Sequence, residues 1–284
     1  MDRTEYIPPP LHAKINQFAI RCFRDTGDAD YIAARMAMRA RLAIPFLWSA
    51  EQAVEKYLKC ILMLNRQKTN DLSHDIERAL KLINTALPFT VELRKDEQDV
   101  FDHIAQCNGD RYLIFSLSLD DIEVIKLDRL VWHLRQYCQP LDVIHYADEP
   151  SQQVLLENVR RIEAGLERPD KNGHIPGAFL EQVLGNRNHR AHGALVWKNL
   201  YFSRSNRKRV LFEDGFQAIN APLWLDPELA EEAAKWMKIP KPIIAAARDL
   251  AKQRVDEKAV FKRNSADAAA SPVPADLPPA RPAQ

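Results

Sequence analysis

The sequence predicts an all-α protein: an up-and-down helical bundle followed by a mostly helical extension. Glycine is scarce, and before position 160 only Gly27 and Gly109 occur, so the first half has little turn punctuation. Apolar residues recur there at spacings of three and four, the period of one helical face. The breaks between these runs are short, as antiparallel neighbours in a bundle require.

Residues 11 to 25 read as a first helix, with Leu11, Ile15, Phe18, Ala19 and Cys22 on one side. Asp28 is expected to cap the next helix, which carries Tyr31, Ile32, Ala34, Met36 and Met38 to about Leu42. Pro45 fits the first turn of a third helix. Its apolar arc is Ile44, Leu47, Ala50, Ala53, Val54, Tyr57, Leu58, Ile61 and Leu64, with Gln52, Lys56 and Lys59 opposite. Ser73 is expected to cap a fourth helix bearing Ile76, Leu80, Leu82 and Ile83, which ends before Pro88. Residues 96 to 107 support a shorter helix with Val100, Phe101 and Ile104. Ser118 to Asp121 has the pattern of a capping box. Behind it Val124, Leu127, Val131, Leu134 and Cys138 keep the helical period until Pro140. These elements place a bundle at 28–145, preceded by an N-terminal helix or arm at 1–27.

Residues 150–262 form the extension. Val154, Leu155, Val159 and Ile162 lie on a helix that ends at Gly165, and 178 to 192 also read as helical. Residues 194–202, rich in aliphatic and aromatic side chains, predict a strand or extended segment that turns into Val210-Leu211-Phe212 as a short hairpin. Asp226-Pro227-Glu228 predicts a capped helix through Leu229, Ala233, Trp236 and Met237. Pro240 and Pro242 separate it from a last helix at about 243–260. The alanine- and proline-rich stretch 264–284 predicts disorder.

Composition narrows the function. A net charge of +1 excludes a protein coated in basic surface, so a nucleic-acid site has to be local. The four cysteines, Cys22, Cys60, Cys107 and Cys138, lack paired spacing, which argues against a zinc site or disulfide framework, and no metal or cofactor is expected. There is no glycine-rich phosphate loop, His-Glu-x-x-His or nucleophile elbow. Neither a signal peptide nor a run of roughly 20 apolar residues is found, so a cytoplasmic protein with no membrane partner is expected.

Two motifs carry a resemblance. Gln52-Ala53-Val54-Glu55-Lys56-Tyr57-Leu58-Lys59, followed by His74-Asp75-Ile76, resembles the HEPN superfamily of small helical bundles; Arg111-Tyr112 is similar to a pair at the same place in many of them. The family's ribonuclease members carry an arginine, often followed by asparagine, and a histidine beyond a gap of four to six residues. Arg187-Asn188-His189-Arg190-Ala191-His192 matches this pattern. Arg168 and His174 share the spacing inside a proline-glycine loop, where it reads as accidental. In one helix Arg187 and His192 would sit about 500° apart, off any common face. The resemblance implies that two protomers pool their motifs in a homodimer, and that the partner is RNA or a nucleotide. If the chain is catalytic, the resemblance implies a metal-independent endoribonuclease of a toxin or phage-defence system. Arg187 would then hold the scissile phosphate, Asn188 would orient it, and His192 would move the proton. The motif lies well past the bundle, however, whereas in catalytic relatives it lies inside it.

Charge distribution points to the same segment. From Gln182 to Phe212 there is no aspartate or glutamate, although the average density of acids would put about four there. The cations are Arg187, Arg190, Lys198, Arg204, Arg207, Lys208 and Arg209, interleaved with Trp197, Tyr201, Phe202 and Phe212. This composition suits phosphate neutralisation with aromatic stacking. The leading expectation is a non-catalytic module that binds RNA, a nucleotide or a protein partner through 187–209.

Overall fold

The computed structural model describes residues 9–107, 116–143, 149–166, 173–203, 209–211 and 215–270, the last ten by backbone alone. It is overwhelmingly helical, with a single two-stranded sheet among the described residues. The chain forms two compact units: Met1–Arg111 with Leu117–Ile219, and Tyr112–Ser116 with Asn220–Gln284. The division thus falls at Ile219 rather than between 145 and 150, and the first part of the extension belongs to the same unit as the bundle.

In the first unit, α1 (Leu11–Ala19) runs through one π-helical stretch, Ile20–Arg24, into α2 (Asp25–Arg39) without a break. Asp28 is therefore not a cap. It lies fully buried in the interior of a continuous helix, where it accepts hydrogen bonds from Tyr57 and Arg135 at 2.8 Å each. The central helix is α3 (Ala43–Leu64). The predicted arc from Leu47 to Leu64 is buried along its length. Phe46, Cys60 and Leu62 are buried as well, as are Glu51 and Glu55, so this helix is enclosed on more than its apolar side.

The fourth helix, α4 (Ile76–Ala86), is capped by Asp75, whose side chain accepts from the Arg78 N–H. Ser73, expected in that role, instead turns the chain at φ 49°. After α5 (Lys95–Gln106) the chain enters β1 (Leu117–Asp120). The predicted capping box at 118–121 is thus largely strand. Helix α6 (Glu123–Gln136) starts with no side-chain cap, and Asp120 accepts from the Ile122 N–H at 3.1 Å. The C-terminal part of this helix, from Leu130, is buried on every side, with Leu127, Leu130, Val131 and Leu134 fully enclosed, while Glu123, Ile125, Lys126 and Arg129 are half-buried.

Past Pro140 come α7 (Gln152–Gly165), α8 (Phe179–Gly185) and α9 (His192–Val196). The predicted hairpin at 194–212 does not form among the described residues: its first residues are helical in α9. The only described partner of β1 is β2 (Phe216–Ile219), antiparallel, with Leu117 opposite Ile219 and Asp120 opposite Phe216. Gly215 precedes β2, and a Cβ there would stand 2.1 Å from an Asp121 carboxylate oxygen, so a side chain at 215 would have to displace that carboxylate.

The second unit contains α10 (Pro222–Leu225), a 3₁₀ turn at Pro227–Leu229, α11 (Ala230–Ala233) and α12 (Lys241–Ala270). The helix expected from Asp226 to Met237 is broken into short pieces, and Asp226 makes no cap bond. Glu231 receives Arg248 of α12 at 3.0 Å, and Arg254 donates to the Leu225 carbonyl at 2.8 Å. The disorder expected from 264 is helix as far as Ala270; residues 271–284 lie outside the described residues, as does the Arg111-Tyr112 pair.

Two buried ion pairs tie α2 to α6. Arg135 grips both carboxylate oxygens of Asp28, at 2.8 and 3.0 Å, and Arg35 pairs with Asp128; all four side chains are sealed from solvent. Removing one partner strands a charge in the interior, which typically costs about 3–5 kcal/mol. Asp28→Ala should therefore lower the unfolding free energy by roughly that amount, read from a urea midpoint at neutral pH. A loss below about 1 kcal/mol would mean that the pair is not a structural requirement.

Candidate nucleic-acid interface

The acid-free segment begins on α8, whose Leu180 and Val183 are buried and anchor it. The helix stops at Gly185, and Asn186 sets the turn that follows: its side-chain oxygen accepts from the Asn188 N–H at 3.0 Å and its carbonyl from the His189 N–H at 3.0 Å. An asparagine side chain that mimics a backbone turn in this way competes with helix continuation. His189 then accepts from the Ala191 N–H through Nδ1, and its carbonyl accepts from the His192 N–H at 2.9 Å. The predicted helix over 178–192 is thus one short helix, α8, and a turn that leads into α9.

Arg187, Asn188 and Arg190 stand on that turn, exposed. His192 is the first residue of α9 and is half-buried; its Nε2 is shielded from solvent and has no hydrogen-bond partner. The cations predicted further along fare differently. Lys198 adopts φ 49° and carries its ammonium over the Trp197 ring, 5.6 Å from the centroid. Arg209 is exposed. Arg204, Arg207, Lys208 and Phe212 lie outside the described residues. Tyr201 and Phe202 are buried, with ring centroids 5.9 and 5.5 Å from that of Trp132. They are packing anchors and cannot serve as stacking platforms for bases.

What holds this segment in place is a set of buried polar residues that periodicity alone did not single out. Arg35 Nε donates to the Ala194 carbonyl at 3.0 Å, and its terminal nitrogens reach the Trp197 carbonyl and Asp128. Asp128 Oδ1 also accepts from the Tyr31 hydroxyl at 2.6 Å, while Oδ2 makes no hydrogen bond. The Tyr31 oxygen accepts in turn from Asn199 at 2.9 Å, and the Asn199 side-chain oxygen accepts from the Tyr201 and Phe202 N–H groups. Burial raises both the Tyr31 hydroxyl and the Asp128 carboxyl above their usual ranges, and Arg35 opposes both shifts. Arg135 makes the second link, donating to Glu181 of α8 at 2.8 and 2.6 Å.

A signal for these residues does exist in the sequence. Asp28, Tyr31 and Arg35 recur at three and four, and so do Asp128, Val131 and Arg135. A charge inside an apolar stripe marks a buried pair.

The residues that carry the first motif form their own cluster. Glu55 bonds Lys59 at 2.5 Å and His74 Nδ1 at 2.8 Å, and Lys56 pairs with Asp30. Glu51, Glu55 and His74 bring ligand atoms within 4.8 Å of one another, a grouping that the cysteine-based reading of metal sites did not anticipate. The Lys59 ammonium on Glu55 already supplies positive charge there, and the cluster acts as an ion-pair joint between α3 and the connection to α4. Elsewhere in this unit, His103 is pushed up to about 9 by the neighbouring Cys107 thiol and by the Glu123 carboxylate 3.5 Å from its Nδ1.

No family model, curated protein or solved structure matches this chain.

Glu181 gives a pH test of the anchor. Burial disfavours its charge, but the His174 imidazole 3.6 Å away and hydrogen bonds from Arg135 and the Ile175 N–H prevail and hold it at about 2, below the ordinary 4.5. A carboxyl depressed on folding stabilises above its unfolded pKa, and that stability is lost as pH falls from 4.5 towards 2. The difference in urea midpoint between the wild type and Glu181→Gln should be full at pH 6 and shrink steadily below 4.5. A difference that does not change with pH would remove Glu181 as a charged anchor.

Proposed function

We propose that this chain is a HEPN-like, RNA-binding module, and that the turn between α8 and α9 is its contact surface. The observation that carries the reading is the exposure of Arg187, Asn188 and Arg190 on one turn, within a segment free of acids. Arginine forks suit phosphate oxygens, and the Asn188 amide suits phosphate or a base edge. Most other described arginines are committed to carboxylates or carbonyls, whereas Arg187 and Arg190 have no bonded acceptor. The missing acids remove the nearest repulsion for a polyanion.

Affinity for a single-stranded oligoribonucleotide should therefore fall with salt, with a log-log slope of about −0.7 for each phosphate neutralised. Arg187→Ser with Arg190→Ser should flatten that slope by roughly 1.4 and weaken binding at every salt concentration. Binding that ignores salt, or that the double substitution leaves unaltered, would refute an electrostatic phosphate contact.

A second reading, metal-independent RNA cleavage, is favoured by one atom. The Nε2 of His192 has no hydrogen-bond partner in the protein, so no internal bond has to break before it meets a ligand, although the ring has to turn outward to reach one. In this reading the ribose 2′-hydroxyl attacks the adjacent phosphorus, its proton passes to a base, the 5′-oxygen leaves, and a cyclic phosphate forms. Arg187 steadies the added negative charge and His192 carries a proton. His192→Ala should abolish cleavage by the full chain while RNA affinity stays within about two-fold, a difference under 0.5 kcal/mol. A His192→Ala protein that still cuts, or cleavage that ends in a product other than a cyclic phosphate, would leave only the binding reading.

A further inference from the structure

Of the described arginines, Arg21, Arg39, Arg160, Arg187, Arg190 and Arg209 are exposed and have no bonded acceptor. Arg39 is distant in sequence from the acid-free segment, yet the fold carries it there. It lies one helical turn past Arg35 on α2, and positions four apart share a face. Arg35 on that face is fastened to the carbonyls of Ala194 and Trp197, so α9 packs along α2. A guanidinium nitrogen of Arg39 stands 3.7 Å from the point that a Cβ on Gly193 would occupy. Gly193 is exposed and directly follows His192. Arg39 is thus an unpaired planar cation at the backbone of the motif, next to the residue whose Nε2 lacks a partner.

We infer that Arg39 is a phosphate-binding residue of the same interface, contributed by the bundle rather than by the acid-free segment. This rests on the RNA-binding reading and adds to it a cation that the turn does not contain. The ligand chemistry is a phosphodiester oxygen pair, which a guanidinium holds with two parallel N–H donors. Glycine at 193 keeps the approach open, because a long side chain there would fill the space beside the guanidinium. Arg39 also differs in kind from the buried arginines of the unit. Arg35 and Arg135 are fully enclosed and hold the fold together, whereas Arg39 contributes no bond to it.

The test uses the full chain and a fluorescein-labelled single-stranded oligoribonucleotide, read by anisotropy across a salt series. Arg39→Gln should raise Kd by about ten-fold and flatten the salt slope by roughly 0.7. Arg39→Lys should keep the slope but recover only part of the affinity, since an ammonium lacks the fork. Arg160→Gln, which removes an equally exposed and unpaired arginine from α7, should change neither. Arg39 makes no intramolecular bond, so Arg39→Gln should unfold at the wild-type urea midpoint. If Arg39→Gln binds like the wild type while Arg187→Ser is weakened, Arg39 is excluded and the RNA-binding reading stands. If Arg160→Gln loses as much as Arg39→Gln, the effect is general charge and the inference fails. If the wild type does not bind the oligoribonucleotide, both fail together.

Discussion

Two buried arginines on α2 and α6 set the terms for the rest of the first unit. A guanidinium sealed from water has to find acceptors for its donors, or the cost of burial is not offset. Arg135 meets this with Asp28 and Glu181, and Arg35 with Asp128 and the carbonyls of Ala194 and Trp197. Each arginine therefore needs one partner from the bundle and one from the chain beyond residue 150. The extension thus completes the bundle's polar core. Apolar residues of matching volume could give comparable stability; what charged groups add is a requirement for particular partners in particular places.

That requirement explains how a helix as short as α9 keeps its position. Five residues cannot sustain a helix in water on their own, because nucleation outweighs so few hydrogen bonds. The carbonyls at the C-terminal end of a helix also have no intrahelical donor. Arg35 supplies donors to two carbonyls in this region, Leu195 is fully buried, and Asn199 accepts from the two N–H groups that lead into Tyr201 and Phe202. The turn at 186–191 is supported from both sides, by Asn186 within it and by α8 and α9 around it. Its exposed arginines consequently project from a fixed base, which lowers the ordering cost of gripping a ligand.

The parts legible in the sequence follow from periodicity. The apolar arc of α3, the end of α4 before Pro88, the extent of α5 and the burial of α6 are all consequences of apolar residues at helical spacing. Terminal residues were less legible. Ser73 and Asp28 are plausible caps by residue type, but capping needs a chain that begins a helix there. Asp75 stands at the actual start of α4, while a π-helical stretch carries the backbone straight through Asp28. Of the strand or extended segment expected over 194–202, the first residues are helical in α9, because aromatic and aliphatic residues serve a buried short helix and its flanking turns as well as they serve a strand. At the interface the exposed cations were readable from the absence of acids. Tyr201 and Phe202 were not, since composition cannot tell a stacking ring from a core ring; their contact with Trp132 decides it.

A nearly neutral chain can still present a site for a polyanion, because what matters is which cations remain uncommitted. Arg35 and Arg135 are consumed by buried carboxylates, Arg129 by Asp96, Arg41 by Asp121 and Arg248 by Glu231. Their fields are largely cancelled at short range by their own partners. Arg39, Arg187 and Arg190 have no such partner, and from Gln182 to Phe212 no acid is present to provide one. Exposed charges act over about a Debye length, roughly 8 Å at physiological ionic strength, so only the local balance is felt by an approaching phosphate. The proton chemistry of His192 is a separate matter. In either proposed reading charge would bring a phosphodiester to the turn, but cleavage would also need the His192 imidazole aligned with the reacting oxygens. On the proposed readings, binding and catalysis would therefore rest on different atoms, so a chain able to do the first need not do the second.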